Sequence, residues 1–502
     1  MRKTLFLSAQ GISPMHQATE TELMMRRREE GVEVYVLFCG AALSTCSLNA
    51  THNLVGCALC QQRAQRLAGQ VGIPEANRFS LDRGLFPKSY PERFPATVAE
   101  LMELNFEGIN IGRGAASSTI SILREYALDL NGKDRQLVDL ELCNALGALL
   151  NYRRTLDGVN PDEVILFNGR HSELLPLLEL CRQRNIDFVC HERGSSPQRF
   201  QEFVNELPHS ISFRRGLLKT LWESTPVKER EAGAIRWFED KRKGASRDDR
   251  SYLDGMESGQ LPNGYDKTKH NIVIFNSSED EMQTISEWDT PLFRNQNEVV
   301  VKLLDALQHR DDVHLYVRMH PNLAVVDNQQ TRELYELKQA NFTLIGPGEI
   351  VDSYTLCAAA DVVLTFASTI GIEATYWGTA SVLYGRSFYE GEDAVYEPQN
   401  FEELVNILTS PDLSPKPRVN AYKYGYFVSH YGETYRFAKI KSPTEVSIIG
   451  TPLKKLTPSV VWQFLQYLSQ IPRWLRTHKI ITGTQLKLSQ LTKLYSHLRE
   501  KA

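Results

Sequence analysis

Long apolar runs are missing from this 502-residue chain. No stretch reaches the roughly eighteen apolar residues that a membrane-spanning helix needs. The opening MRKTLFLSAQG is also too short in apolar residues for a secretory signal, so the expected location is the cytoplasm. No internal repeat at a solenoid period occurs, which sets aside stacked-repeat architectures. An excess of one charge is lacking too: 57 Lys and Arg against 61 Asp and Glu leave a formal net charge of −4. Nucleic acid is not an expected partner of so balanced a chain.

What is present is the composition of a globular protein, 42% hydrophobic and 24% charged, in a chain too long for one core. The pattern divides it into residues 1–223, a connecting segment 224–270, a second domain 271–410, and a return segment with a tail, 411–502. The first domain opens with a strand at 3–7, a charged amphipathic helix at 16–30 and a strand at 32–38, the start of a Rossmann-like unit. Further strands are expected at 164–167 and 188–190, with helices at 118–130, 137–154 and 174–184. The connector KRKGASRDDRSYLDGMESGQLPNGYD at 241–266 is rich in Gly, Asp and Ser. The three prolines of 411–417 mark the exit from the second domain.

Charge is unevenly spread. Residues 439–502 carry eleven Lys and Arg against two acids, Glu445 and Glu500. Within them VVWQFLQYLSQIPRWLRTHK has the spacing of a basic amphipathic helix with tryptophans. Such a helix can rest on an acidic membrane surface, or pack against the domains with its basic face outward.

Cysteine supplies one more pattern. Cys39, Cys46, Cys57 and Cys60 read C-x6-C-x10-C-x2-C with His52 inside, half of a usual zinc motif. A structural zinc on Cys46, Cys57 and Cys60, completed by Cys39 or His52, is one reading. Reduced thiols in the loop after the second strand are the other. Cys143, Cys181, Cys190 and Cys357 stand in apolar settings and read as buried thiols.

The most informative stretches lie in the second domain. In DVVLTFASTIGIEATYWGTASVLYGRSFYE at 361–390 a β-branched strand runs into Ser368 and Thr369, Gly371 opens a helix ending near Gly378, and a second strand follows. This βαβ unit turns helix amides toward the crevice at the strands' carboxyl ends, where phosphates bind. In VRMHPN at 317–322 another strand ends at Arg318, His320 and Pro321, so its loop opens on the same crevice. Each feature alone also has a bland reading, a solvated histidine or a simple helix cap.

These segments, with IVIFNSSEDE at 272–281, VILFNGRHSE at 164–173 and FVCHERGSS at 188–196, resemble the bacterial capsule polysaccharide biosynthesis glycosyltransferases. The HP motif and Ser/Thr pair are similar to those of GT-B enzymes that use CMP-activated acid sugars, the Kdo and sialic-acid type. The resemblance implies an α/β, GT-B-like fold: two Rossmann-like domains facing a central cleft, with a C-terminal helical tail. It implies that His320, Ser368 and Thr369 contact the nucleotide phosphate, with Arg318, Gly371, Ser277 and Ser278 alongside. Glu373 would meet the ribose or sugar, or simply stabilise the first helical turn.

The expected partners are a nucleotide-sugar donor and a glycan or glycolipid acceptor. The catalytic base should come from the first domain. Glu192 is favoured because it follows a strand end and Gly194 lets its loop approach a ligand. His16 and Glu20 are rivals, and Arg170 and Arg193 are candidate clamps for a sugar carboxylate or phosphate. No cofactor is required for this chemistry, and no DxD-type metal-diphosphate motif stands at a strand end; Asp361 precedes its strand. The competing expectations are a nucleotide-sugar epimerase of similar fold and a non-catalytic scaffold that keeps the sugar-nucleotide domain.

Overall fold

The computed structural model describes residues 1–9, 11, 13–49, 54–194, 196–244, 259–442 and 445–454. The first domain is built on strands β1 (Lys3–Ser8), β2 (Glu33–Phe38) and β3 (Arg78–Ser80). A small hairpin, β4 (Asn105–Phe106) with β5 (Ile109–Asn110), stands apart. Strands β6 (Glu163–Phe167), β7 (Asp187–Arg193) and β8 (Arg199–Val204) extend the main sheet. The second domain holds β9 (His270–Phe275), β10 (Val313–Arg318), β11 (Phe342–Ile345), β12 (Val362–Thr365) and β13 (Ala380–Leu383). The chain then returns to the first sheet with β14 (Glu433–Thr434) and ends its described course in a meander of β15 (Ala438–Ser442), β16 (Glu445–Ile448) and β17 (Thr451–Lys454).

The order in the second sheet is β11-β10-β9-β12-β13, all parallel. Its strands are near-continuous apolar runs, IVIF and VVLT among them, because helices cover both faces and leave no solvent side. The order reverses between β9 and β12, which opens a crevice at their carboxyl ends. The first sheet, β14-β8-β7-β6-β1-β2-β3, is parallel from β3 to β7 and closes with antiparallel β8 and β14. Two Rossmann-like domains thus face a common cleft, the GT-B-like arrangement expected from the sequence.

The helices Gly112–Leu123, Arg135–Val159 and Leu175–Arg184 bury one apolar face on the first sheet, while Pro14–Glu29 and Leu54–Gln70 cover the other. The first of these starts earlier than the sequence suggests and stops where Arg124 turns left-handed at φ 57°.

Segment 224–270 carries a helix, Val227–Arg242, that runs beside Tyr422–His430. The two can approach closely because glycine stands at the crossing. A Cβ on Gly425 would meet Phe238 at 2.6 Å, and one on Gly233 would meet His430 at 2.6 Å. Phe238 in turn stacks on Tyr376 of the second domain, centroids 4.0 Å apart. Trp237, Phe238, Ile372, Tyr376, Tyr389 and Phe427 share one buried cluster, so the connecting helices weld to the second domain. Each such aromatic contributes about 2–3 kcal/mol on burial.

Within 411–502, read from the sequence as a return segment and a helical tail, residues 438–454 form the three-stranded meander. It packs Ile440, Val446, Ile448 and Leu453 against Met15 and Ala18. The stretch 460–479 read as a basic amphipathic helix lies outside the described residues, as does His52. Among the described residues no helix is long and apolar enough to cross a membrane.

Candidate active site

A cavity of ≈ 1180 Å³ lies between the domains, at the carboxyl ends of the second sheet. Its floor comes from the turns after β9 (Asn276 to Ser278), β10 (Met319 to Asn322), β12 (Phe366 to Ile370) and β13 (Gly385 to Phe388). The opposite wall carries Glu192, Arg193 and Gly194 from the end of β7, with Gln201, His209 and Arg214.

His320 and the Ser368/Thr369 pair stand on either side of β9, since β10 and β12 are its two neighbours. The His320 backbone N–H donates to Asn276 Oδ1 at 2.7 Å, which fixes the turn. Its Nδ1 accepts the Asn322 N–H at 3.1 Å, so in the neutral ring the proton sits on Nε2. Burial, and then the nearby Arg124 cation, push the imidazole pKa down to about 4. The ring is a neutral hydrogen-bond donor at pH 7.

Ser368 and Thr369 precede the helix Ile370–Trp377, which ends as expected at Gly378, φ 87°. The Ser368 carbonyl accepts from Tyr389 at 2.7 Å. Thr369 donates to Glu373 Oε1 at 2.9 Å and accepts from Lys241 Nζ at 3.0 Å. Glu373 is 2% exposed, paired with Lys241 at 2.9 Å and bonded by Tyr354 Oη at 2.5 Å. The carboxylate therefore braces the helix N-terminus, the bland role the sequence allowed. Lys241 itself escaped the sequence reading: it sits in the stretch taken as polar connector. Its signal was the spacing of Trp237, Phe238 and Lys241 along one helix.

Several expected ligands have other engagements. Arg318 lines the cavity, but its guanidinium donates to the carbonyls of Gly346 and Glu349 and ties down the turn after β11. Ser278 is held between Asp280 Oδ1 at 2.6 Å and Arg124 Nη2 at 2.8 Å, within an ion pair that joins the domains. The Ser277 hydroxyl is buried without a partner among the described residues. Gly371 does not line the cavity: a Cβ there would meet Tyr389 Oη at 2.5 Å and Thr365 Oγ1 at 2.6 Å, so it serves packing.

Across the cleft Glu192 is where the sequence put it. Asn168 Nδ2 donates to its Oε2 at 2.9 Å and the Arg193 N–H to its Oε1 at 3.0 Å, which orients the carboxylate. Its rivals lie elsewhere. Glu20 is 2% exposed, accepts from Ser8 Oγ at 2.6 Å and Gln17 Nε2 at 2.7 Å, and is pushed by burial up to about 8. A carboxyl already protonated at neutral pH makes a poor base. His16 stacks on Phe167 at 3.9 Å outside this cavity, and burial, with His191 and Arg193 nearby, lowers it to about 3. Arg170 is no clamp either: it donates to the Glu281 carbonyl at 2.5 Å in the domain interface.

Cys39, Cys46, Cys57 and Cys60 all line one small cavity of ≈ 30 Å³ beside Ala9, as free thiols. Burial pushes the Cys39 and Cys46 thiols up. Among the described residues no three His, Cys, Asp or Glu are grouped so as to hold a metal ion.

No family model and no curated protein matches this chain. Solved structures of similar overall arrangement include the KpsC beta Kdo 2,4 transferase of Thermosulfurimonas dismutans (14% identity, 61% of this chain and 87% of that one, TM-score 0.37). The KpsC beta Kdo 2,7 transferase of the same organism is another (14%, 55% and 80%, TM-score 0.34). A third is the UDP-GlcNAc 2-epimerase of Neisseria meningitidis bound to UDP-GlcNAc (10%, 85% and 98%, TM-score 0.31).

Proposed function

We propose that this chain is a glycosyltransferase that moves a nucleotide-activated sugar, a CMP-linked acidic sugar by the motif resemblance, onto a surface glycan or its lipid carrier. The observation that carries the reading is the convergence of His320, Ser368 and Thr369 at the switch point of the second sheet, with the Glu192 carboxylate on the facing wall. The nucleotide phosphate would sit at the N-terminus of Ile370–Trp377, on helix amides and the two hydroxyls, with Thr369 turning its proton from Glu373 to the phosphate. His320 Nε2–H would donate to the phosphate oxygen as charge develops on it.

The acceptor hydroxyl oxygen attacks the anomeric carbon and its proton passes to Glu192. The bond from that carbon to the phosphate oxygen breaks, and its electron pair leaves with the nucleotide. The helix amides, hydroxyls and His320 would stabilise the charge on the departing phosphate. A melting-temperature screen against CMP-, UDP- and GDP-sugars, repeated with His320→Ala, tests the assignment. A nucleotide-sugar should raise the melting temperature of the parent and act weakly on the variant; equal stabilisation of both would overturn it.

One observation favours a second reading, a nucleotide-sugar epimerase. Glu279 lines the same cavity and burial pushes its carboxyl up to about 7, a value suited to moving a proton on a bound sugar. Interconversion of a nucleotide-sugar without any acceptor would select that reading.

A further inference from the structure

The first-domain wall holds a cation that forms no ion pair with a described residue. Arg214, on the helix Ile211–Ser224, lines the cavity and lies between two rings, its guanidinium carbon 4.9 Å from the centre of Phe203 and 4.4 Å from that of Phe388. Its Nε donates to the Pro208 carbonyl at 2.5 Å and one terminal nitrogen reaches Gln201 Oε1 at 3.5 Å. The other terminal nitrogen has no hydrogen bond to a described residue, and no carboxylate of a described residue comes within ion-pair distance. Several other cations of the cavity are ion-paired, while Arg318 is held by carbonyls alone. Arg124 is paired with Asp280, Lys241 with Glu373 and Arg386 with Glu390. Burial pulls the Arg214 pKa below the usual guanidinium range, while Tyr424, Glu192 and Tyr431 act the other way.

A half-buried guanidinium that lines a cavity without an ion pair is free to bind an anion that enters it. The surroundings show what fits. Phe388 comes from the second domain and meets Trp288 edge-on at 5.1 Å, while Trp288 Nε1 donates to the His209 carbonyl at 2.9 Å. A planar cation beside two aromatic faces suits a ring-shaped, polar-edged group that bears an anion.

We infer that Arg214, with Trp288 and Phe388, forms a second anion-binding subsite on the first-domain wall, distinct from the phosphate end at His320, which takes a carboxylate or phosphate carried by a sugar residue. The inference rests on the transferase reading for its place in the reaction, since the facing wall is then the acceptor side. Because Phe388 belongs to the other domain, the subsite is complete only with the cleft closed.

Sugar probes of known charge test it on the full chain. Binding of glucuronate, glucose 6-phosphate and methyl glucoside is followed by saturation-transfer NMR and melting temperature, in the parent, Arg214→Met and Arg214→Lys. The anionic sugars should bind the parent and the neutral one should not. Arg214→Met should lose anion binding at least about tenfold with CMP or UDP binding unchanged, and Arg214→Lys should recover part of it. The preference between glucuronate and glucose 6-phosphate separates carboxylate from phosphate.

The melting temperature of ligand-free Arg214→Met is the second measurement. It should stay close to that of the parent, because no ion pair with a described residue is lost. A marked fall would mean that Arg214 is a structural tie to Pro208 and would overturn the subsite. So would methyl glucoside binding as well as glucuronate. Failure of CMP and UDP to bind, with anionic sugars still dependent on Arg214, would instead remove the nucleotide-sugar reading and leave the subsite standing.

Discussion

The two walls of the cleft are made differently. On the second-domain side the groups at the strand ends are bonded to one another: His320 to Asn276 and Asn322, Thr369 to Glu373 and Lys241. On the first-domain side Glu192 is only oriented, by Asn168 and its neighbour's amide, and Arg214 has no ionic partner among the described residues. A wall whose strand-end groups are cross-bonded in this way holds a fixed geometry, as the proposed nucleotide phosphate would require. A wall with unsatisfied charge is built for what arrives.

The strongest way to break that comparison is Glu192→Gln, which keeps shape and removes the proton acceptor. Transfer should fall by about 10²-fold or more while nucleotide affinity holds. Single-turnover rates and nucleotide titrations on one preparation check both halves, and an undiminished rate would return the search for a base to the rest of the first-domain wall. Next in size is Lys241→Met, which strands the buried Glu373 carboxylate. A loss of about 3 kcal/mol in denaturant unfolding is expected; no loss would mean that the phosphate end is not braced as described.

His320→Ala should then weaken nucleotide binding by about tenfold or more with the fold intact, one hydrogen bond to a charged group being worth about 1.5–3 kcal/mol. Calorimetric titration measures it. Ser368→Ala and Thr369→Val should each cost less and couple when combined, because both hydroxyls address one group. Strict additivity in a double-mutant cycle would make them independent caps.

The pH dependence of stability sharpens the picture of the buried groups. His16, His171 and His191 are held near about 3 and His320 near about 4, all by burial. Below the imidazole's ordinary 6.5 the unfolded chain binds more protons than the folded one, so stability is lost as pH falls from there toward 4. Glu20 is raised to about 8, and Glu173 and Glu279 to about 7. Above the ordinary 4.5 the folded state holds protons that the unfolded state has released, so their contribution is lost as pH rises toward 8. From 6.5 to 8 the imidazole contribution fades and the carboxyls dominate. Melting temperature should therefore decline over that range, and a steady climb would show that these carboxyls ionise in place.

Much of the second domain was legible because its strands are unbroken β-branched runs and its site residues follow directly after them. The Ser368/Thr369 turn and the helix stop at Gly378 needed no distant information. The first domain was harder for a physical reason. Helix Pro14–Glu29 reads as a charged surface helix, yet Gln17, Thr19, Glu20 and Glu22 are buried. The cover is remote: Glu22 accepts the backbone N–H groups of Arg436, Phe437 and Ala438, more than four hundred positions away. Arg214 and Lys241 were missed for the same cause, since helices that carry no motif bring them to the cleft. Arg170 looked available for a ligand because nothing local shows that the Glu281 carbonyl comes to meet it.

The return of the chain after residue 421 has a consequence for modularity. Strand β14 completes the edge of the first sheet and residues 436–438 cap Glu22, so the first domain is assembled from both sides of the second. In inheritance and in engineering the second domain is then an insert, to be exchanged between two flanking pieces of its host. A chimera joined once, near residue 270, would carry a foreign edge strand and leave Glu22 facing amides that did not evolve with it.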